Sequence, residues 1–135
     1  MKLKEVKALN LELGCDIFKA FSEDSRVRIL YLIYKNDEMC IADLEQVLDF
    51  TQTKVSRHIK YLKTTSILQV TQRDQWRYYR IADRLKTIIE TLFSYLETDA
   101  VLVQDLKNYH IQYANNELAI RKLHNKKSVY RLPEL

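Results

Sequence analysis

A chain of 135 residues, 47% of them hydrophobic, is long enough to bury the core of one domain and too short for two. Its single glycine, Gly14, excludes the glycine-rich phosphate loops of nucleotide-binding enzymes, and its three histidines form no zinc-binding motif. No serine-nucleophile motif occurs either, so the composition argues against an enzyme, and the net charge of +4 is informative mainly through its distribution along the chain.

Two further features concern the cellular compartment. No stretch approaches the roughly eighteen apolar residues of a membrane span, and residues 1–7 lack the apolar run of a signal peptide. The two cysteines, Cys15 and Cys40, are too few for a disulfide scaffold and suit a reducing environment. We therefore predict a cytoplasmic protein.

The first part of the chain predicts three helices. Apolar residues three or four apart predict the first helix over residues 3–21: Val6, Leu9, Leu13, Ile17 and Phe21. Cap-forming residues at 22–25 introduce a second, mostly buried helix over residues 27–33, which Asn36 and Asp37 end. A third, short helix is predicted over Ala42 to Leu48, with Leu44, Val47 and Leu48 facing inward.

The fourth predicted helix, residues 51–65, has two unlike faces. Val55, Ile59 and Leu62 fall at i, i+4 and i+7 and can dock on a core. The polar and basic side chains are candidate DNA contacts, with Arg57 suited to guanine and the lysines to phosphates: Gln52, Thr53, Lys54, Ser56, Arg57, His58 and Lys60. Taken alone, the segment is equally compatible with an ordinary amphipathic helix whose basic face is merely solvated.

A β-hairpin follows this helix. Residues 68–73 and 76–81 are rich in β-formers around an Asp74-Gln75 turn that lacks the glycine of favoured two-residue turns. Arg73 and Arg77 would lie near its tip or base, suited to phosphates or a minor groove. A basic helix leading into a basic hairpin is typical of DNA-binding winged helices. The predicted fold class is therefore mainly α with a small β-hairpin, a winged helix-turn-helix.

The charges are segregated along the chain. Residues 51–80 carry seven lysines and arginines against one aspartate, whereas residues 36–50 carry five acidic residues and no basic one. A surface that served only solubility would mix both signs. The concentration of positive charge in the predicted helix and hairpin favours a polyanionic partner, DNA.

The last third of the chain is again helical in pattern. An apolar stripe covers residues 85–96, and a second covers residues 102–123 with a break near Asn115-Asn116. Since these stripes exceed the needs of a small core, we expect the first and last helices to form a two-fold homodimer that pairs two recognition helices on a palindromic operator. Residues 1–123 would then form one domain, with residues 124–135 a flexible basic tail.

Three segments occur in a characteristic order before the hairpin: Phe18–Leu30, Glu38–Leu44 and Thr51–Leu62. In order, spacing and residue type they resemble the ArsR/SmtB family of bacterial metal-sensing repressors, over roughly residues 15 to 85. The resemblance implies a winged-helix homodimer that represses efflux or detoxification operons and releases double-stranded operator DNA when an inducer binds. It also implies that Gln52, Thr53, Ser56, Arg57 and His58 lie on the recognition helix and Arg73 and Arg77 on the wing.

The chain departs from the family pattern where inducers bind. Many arsenic, cadmium or lead sensors carry Cys-Val-Cys before Asp-Leu, whereas this chain reads Cys40-Ile-Ala42. The resemblance then leaves Cys15 and Cys40 as candidate ligands for As(III) or another thiophilic metal ion acting as inducer. Asp83-Arg-Leu85 and Leu96 occupy the places of the family's zinc ligands, and Ser66 stands where members usually have glycine.

Other interpretations of the cysteines and of the fold remain open. A position near a helix N-terminus predicts a lowered pKa for the Cys40 thiol, which would suit metal binding or redox sensing. Cys15 and Cys40 are equally compatible with small buried apolar residues. Winged helices also serve as protein-interaction modules, in which case the basic face would dock an acidic partner.

Overall fold

The chain folds into seven helices and one β-hairpin over the residues that the structure, a computed structural model, describes: the backbone of residues 8–131 and the side chains of residues 8–126. The elements in chain order are α1 (Leu11–Ala20), α2 (Asp24–Asn36), α3 (Ile41–Leu48), α4 (Gln52–Thr64), β1 (Leu68–Arg73), β2 (Trp76–Ile81), a 3-10 turn (Asp83–Leu85), α5 (Lys86–Ser94), α6 (Ala100–Ala114) and α7 (Ala119–Arg131).

Helix α1 is shorter than its apolar pattern predicts. It begins at Leu11 because the Asn10 side chain accepts a hydrogen bond of 2.8 Å from the Leu13 backbone N–H and so caps the first turn. Residues 8–10 are therefore not helical, although Leu9 packs against the core. The remainder of the predicted helix start, including Val6, lies outside the described residues.

Helices α2 to α4 confirm the predicted elements. The middle of α2 forms the centre of the core, since Ile29, Leu30, Leu32 and Ile33 are each 0% exposed. Helix α2 ends at Asn36 as expected, and Asp37 follows with a φ of 72°. Helices α3 and α4 pack on this core as a helix-turn-helix.

The hairpin has the strands and the two-residue turn that the sequence predicts. Its antiparallel register runs from Leu68 opposite Ile81 to Arg73 opposite Trp76. Beside it, Met39 and Tyr79 exchange two backbone hydrogen bonds of 3.0 and 2.9 Å. The wing is thereby attached to the segment that leads into α3.

The apolar stripe predicted over residues 85–96 ends earlier than expected. Helix α5 ends at Ser94, which leaves Leu96 37% exposed, and a new helix starts where Asp99 caps the N–H groups of Val101 and Leu102. The expected break at Asn115-Asn116 is confirmed, with Asn116 at a φ of 60°.

Helix α7 continues beyond the predicted end of the domain. It runs from Ala119 to Arg131, so residues 124–131, predicted as part of a tail without regular structure, are helical. Residues 132–135 lie outside the described residues.

Helices α6 and α7 pack on the helix-turn-helix of their own chain. The Arg28 guanidinium on α2 donates two hydrogen bonds of 2.9 Å to Asp105 on α6, which is 3% exposed. The Asp43 carboxylate on α3 accepts from the backbone N–H groups of Ala119 and Ile120 at 2.7 and 3.0 Å. Much of the C-terminal apolar surface is buried within one chain, since Leu102, Tyr109 and Ile120 are at most 5% exposed. Among residues 8–131, no helix combines the length and apolarity needed to cross a membrane.

Candidate nucleic-acid interface

Helix α4 presents a polar, basic face to solvent and an apolar face to the core. Val55, Ile59 and Leu62 are at most 2% exposed. The opposite side carries the predicted DNA contacts other than His58. Lys54 and Ser56 are partly exposed, and the others are exposed: Gln52, Thr53, Arg57 and Lys60. This arrangement follows from the helical period and places hydrogen-bonding side chains along one open surface.

The N-terminus of α4 concentrates positive potential. The Thr51 hydroxyl caps the Lys54 backbone N–H at 3.2 Å, and the Lys54 ammonium lies 4.0 Å from the centroid of the Phe50 ring. A helix N-terminus already carries a partial positive charge and unpaired N–H groups. The first turn of α4 is thus suited to a phosphate or to the edge of a base.

The C-terminus of α4 turns the chain into the wing through a left-handed residue. The Ser66 N–H donates to Lys63 O at 3.0 Å and the Ile67 N–H to Leu62 O at 2.9 Å, which is the Schellman pattern. Ser66 adopts the left-handed conformation that this motif requires, with a φ of 64°. The position where the family usually has glycine therefore keeps its geometry with serine.

His58 departs from the predicted DNA surface. It is 3% exposed, and its Nε2 lies 3.2 Å from the Glu23 carboxylate just before α2. Burial lowers the pKa of its imidazole, an effect that outweighs the nearby Glu23 charge. The expectation that His58 faces DNA is not supported, because the side chain is turned inward beside Ile59.

The two wing arginines have different environments. Arg77 is exposed and extends from β2 into solvent. Arg73 is turned the other way: its guanidinium hydrogen-bonds to the buried Glu38 carboxylate and lies over the Tyr78 ring. The prediction that Arg73 contacts DNA loses support, since its charge already holds the wing to the segment before α3.

The two cysteines do not form a ready metal site. Cys40 is 2% exposed, and burial together with the nearby Asp43 carboxylate raises the pKa of its thiol to about 12, so the predicted lowering is wrong. Cys15 is exposed on α1. Within the described part of the chain, no three His, Cys, Asp or Glu residues are grouped so as to hold a metal ion.

The second half of the basic helix α7, residues 124–131, was assigned to a tail from sequence. The Lys126 ammonium on α7 lies 3.7 Å from the Asp74 carboxylate in the wing turn. The available signal was the composition of residues 119–131, which contain five lysines and arginines and no acidic residue. Because the apolar period ends at Leu123, the composition of the residues after it predicted only a basic tail.

Residues 23–68 match the family model of bacterial regulatory proteins of the arsR family. The chain is 30% identical over 98 residues to an arsenic resistance transcriptional regulator, ArsR1, of Pseudomonas putida; the match covers 67% of this chain and 77% of that protein.

Solved structures show the same architecture. HlyU from Vibrio cholerae superposes with a TM-score of 0.55 at 22% identity, over 61% of this chain and 89% of that one. The homodimeric winged helix-turn-helix DNA-binding domain of a possible ArsR-family regulator from Mycobacterium bovis gives a TM-score of 0.54 at 22% identity, over 76% of this chain and 85% of that one. At these identities the likeness establishes the winged-helix fold.

Proposed function

We propose that this chain, which belongs to the arsR family of bacterial regulatory proteins, represses transcription by binding palindromic operator DNA as a homodimer. It is a DNA-binding transcriptional regulator and not an enzyme. The observation that carries the proposal is the open face of α4, where Gln52, Thr53, Arg57 and Lys60 project from a helix fixed to the core by its other side. A recognition helix in a major groove needs that division of faces.

Each exposed side chain is assigned a role by its chemistry. Arg57, in the second turn of α4 and exposed, is suited to a bidentate contact with a guanine edge. Lys54 and Lys60 are suited to phosphates, and Arg77 on the wing to a phosphate or a minor groove. Gln52, Thr53 and Ser56 carry hydrogen-bonding groups close to the helix and are suited to neighbouring base edges.

A homodimer is supported by apolar surface left open at one side of the chain. On α1, Leu11 and Phe18 are 84% and 68% exposed and lie two turns apart on one face. Between them, nothing stands within 4 Å of the place that a Cβ on Gly14 would occupy, so a second helix has room to approach closely. Tyr95 at the end of α5 is 82% exposed. We therefore assign the dimer contact to α1 and the end of α5.

The test compares specific and non-specific binding. Fluorescence anisotropy of the reduced protein is measured on a duplex from its own upstream region and on a random duplex of equal length. Arg57→Ala should lose about 1 to 3 kcal/mol on the operator and much less on random DNA, because a base contact carries the discrimination. Lys60→Gln is the matched control and should weaken both duplexes alike.

Two results would contradict the proposal. Equal losses on both duplexes for Arg57→Ala would remove the base-reading role. A wild-type protein that prefers no sequence, and whose footprint protects none, would instead support a protein-interaction module.

The sequence predicts a response to As(III) or another thiophilic ion, but the described residues of one chain do not form a preformed site for it. Cys40 is buried, and with a pKa raised to about 12 its thiol is protonated at neutral pH. We expect stoichiometric arsenite to leave the operator affinity of the reduced protein unchanged. Release by arsenite that Cys40→Ser or Cys15→Ser abolishes would restore the predicted site, and release by an oxidant alone would favour thiol redox sensing.

A further inference from the structure

Helix α7 has a composition that packing alone does not explain. Between Ala119 and Arg131 the chain has five basic residues and no acidic one. Its apolar residues are used for packing: Ile120 is 1% exposed and Leu123 lies against the core. A helix needed only to cover the core would normally mix charges of both signs on its open side.

The position of α7 is set by its N-terminus. Asp43, itself 2% exposed, accepts hydrogen bonds from the first two backbone N–H groups of the helix, at Ala119 and Ile120. Asp43 lies in the first turn of α3, the helix that precedes the recognition helix. Helix α7 therefore keeps a defined position relative to the DNA-binding elements.

From this anchor α7 extends alongside the wing. Residues of α7 and of the hairpin enclose a cleft of about 320 Å³, which is lined by Arg73, Trp76, Lys122 and Lys126 among others. Lys122 and Lys126 are exposed at this cleft. Arg121 is excluded from it, because its guanidinium lies 4.7 Å from the centroid of the Tyr113 ring.

We propose that α7 extends the DNA interface beyond the wing, with Lys122 and Lys126 contacting backbone phosphates of the base pairs that flank each operator half-site. The proposal rests on the proposed function, since it requires that the wing approach DNA. A polyanion is the partner that a one-sign helix beside a DNA-binding hairpin fits best.

Asp74 gives Lys126 a second effect on the same contact. The Asp74 side chain is 70% exposed in the wing turn, where its carboxylate would repel a phosphate. The ammonium of Lys126, 3.7 Å away, offsets that charge. Loss of Lys126 should therefore both remove an attraction and expose a repulsion.

The experiment measures how DNA affinity depends on salt. The full chain and Lys122→Gln/Lys126→Gln are titrated by anisotropy onto two duplexes, the minimal operator and the same operator with flanking base pairs. On the long duplex the double variant should lower the slope of log K against log salt by about 3 to 4, since a dimer loses four phosphate contacts at about 0.9 each. On the minimal duplex the two proteins should differ little in this slope, because the flanking phosphates are absent.

Two further variants separate DNA contact from structural effects. Lys107→Gln removes an exposed charge from α6, away from the wing cleft, and should keep the wild-type slope. Asp74→Asn keeps both lysines and should bind the long duplex at least as tightly as the wild type, whereas a merely structural Lys126–Asp74 pair would make it lose affinity as the double variant does.

The outcomes are distinct. An unchanged slope for the double variant on the long duplex, in a protein that still prefers its operator, overturns the role of α7 alone. A wild-type protein without sequence preference overturns the proposed function and the role of α7 with it.

Discussion

Several segments of this nearly glycine-free chain end in left-handed residues other than glycine. Positive φ angles occur at Asp37, Asp49, Ser66, Asp74 and Asn116, which stand at helix ends and in the wing turn. Asp and Asn tolerate this conformation because their short side chains bond locally. Serine has less of that advantage, so this conformation costs more at Ser66 than it would at an aspartate or asparagine.

Ser66→Gly should therefore stabilise the protein by about 1 kcal/mol, because glycine adopts a positive φ without steric penalty. Urea unfolding, followed by circular dichroism, measures the change. Ser94→Gly is the matched control: Ser94 is the last residue of α5, and glycine there should lower stability. Equal effects of the two substitutions would show that Ser66 is not strained.

His58 predicts a dependence of stability on pH. Burial lowers the pKa of its imidazole below the ordinary value of 6.5. As pH falls below about 6.5, the unfolded chain binds a proton that the folded protein resists, so the free energy of unfolding should fall. In urea unfolding, the free energy of unfolding of the wild type should be lower at pH 5.5 than at pH 7.5. This difference should be smaller in His58→Gln. An equal loss in both would contradict the assignment.

At the scale of elements, Asp43 decides where α7 lies. Asp43→Ala removes the acceptor for two helix N–H groups and should cost about 1 to 2 kcal/mol. It should also speed amide hydrogen exchange at Ala119 and Ile120 more than in the hairpin. Asp43→Asn keeps one acceptor oxygen, so its stability and its exchange rates should lie between those of the wild type and of Asp43→Ala. Slow exchange at Ala119 in Asp43→Ala would mean that apolar packing alone holds α7.

The elements that sequence predicts well are those with strong local signals. The second to fourth helices and both strands follow from apolar period and turn residues, and so does the open face of α4. The predicted start of α1 was wrong because the apolar pattern extends to residues before Asn10. The cap hydrogen bond of Asn10 decides where the helix begins. The inward turn of His58 was readable, since Val55, His58, Ile59 and Leu62 form an i, i+3, i+4, i+7 set.

Contacts distant in sequence were not predictable in this way. Arg73 pairs with Glu38, 35 residues away, and no local pattern marks that pair. The same holds for Asp43 and the start of α7, 76 residues apart. The pKa of Cys40 depends on burial in the folded core, so its helix-end position alone gave the wrong direction.

At the scale of the whole molecule, the proposed dimer makes the exposed face of α1 essential for operator binding. Phe18→Glu places a charge on that face and should convert the dimer to a monomer, measured by sedimentation. Operator affinity should then fall by tenfold or more, because a monomer engages only one half-site. Ile111→Glu is the matched control, since Ile111 is 56% exposed on α6 and outside the proposed contact. A Phe18→Glu protein that remains dimeric would place the contact elsewhere.

The bridge between Met39 and Tyr79 has a consequence for how such a protein diverges. Both of its hydrogen bonds run between main-chain atoms, so no substitution except proline deletes a donor. Substitutions at those two positions therefore leave intact the hydrogen bonds that align the hairpin with the segment before α3. Paralogues can then exchange the outward residues of α4 and the hairpin and so bind new operators. The main-chain bridge that orients the hairpin stays the same.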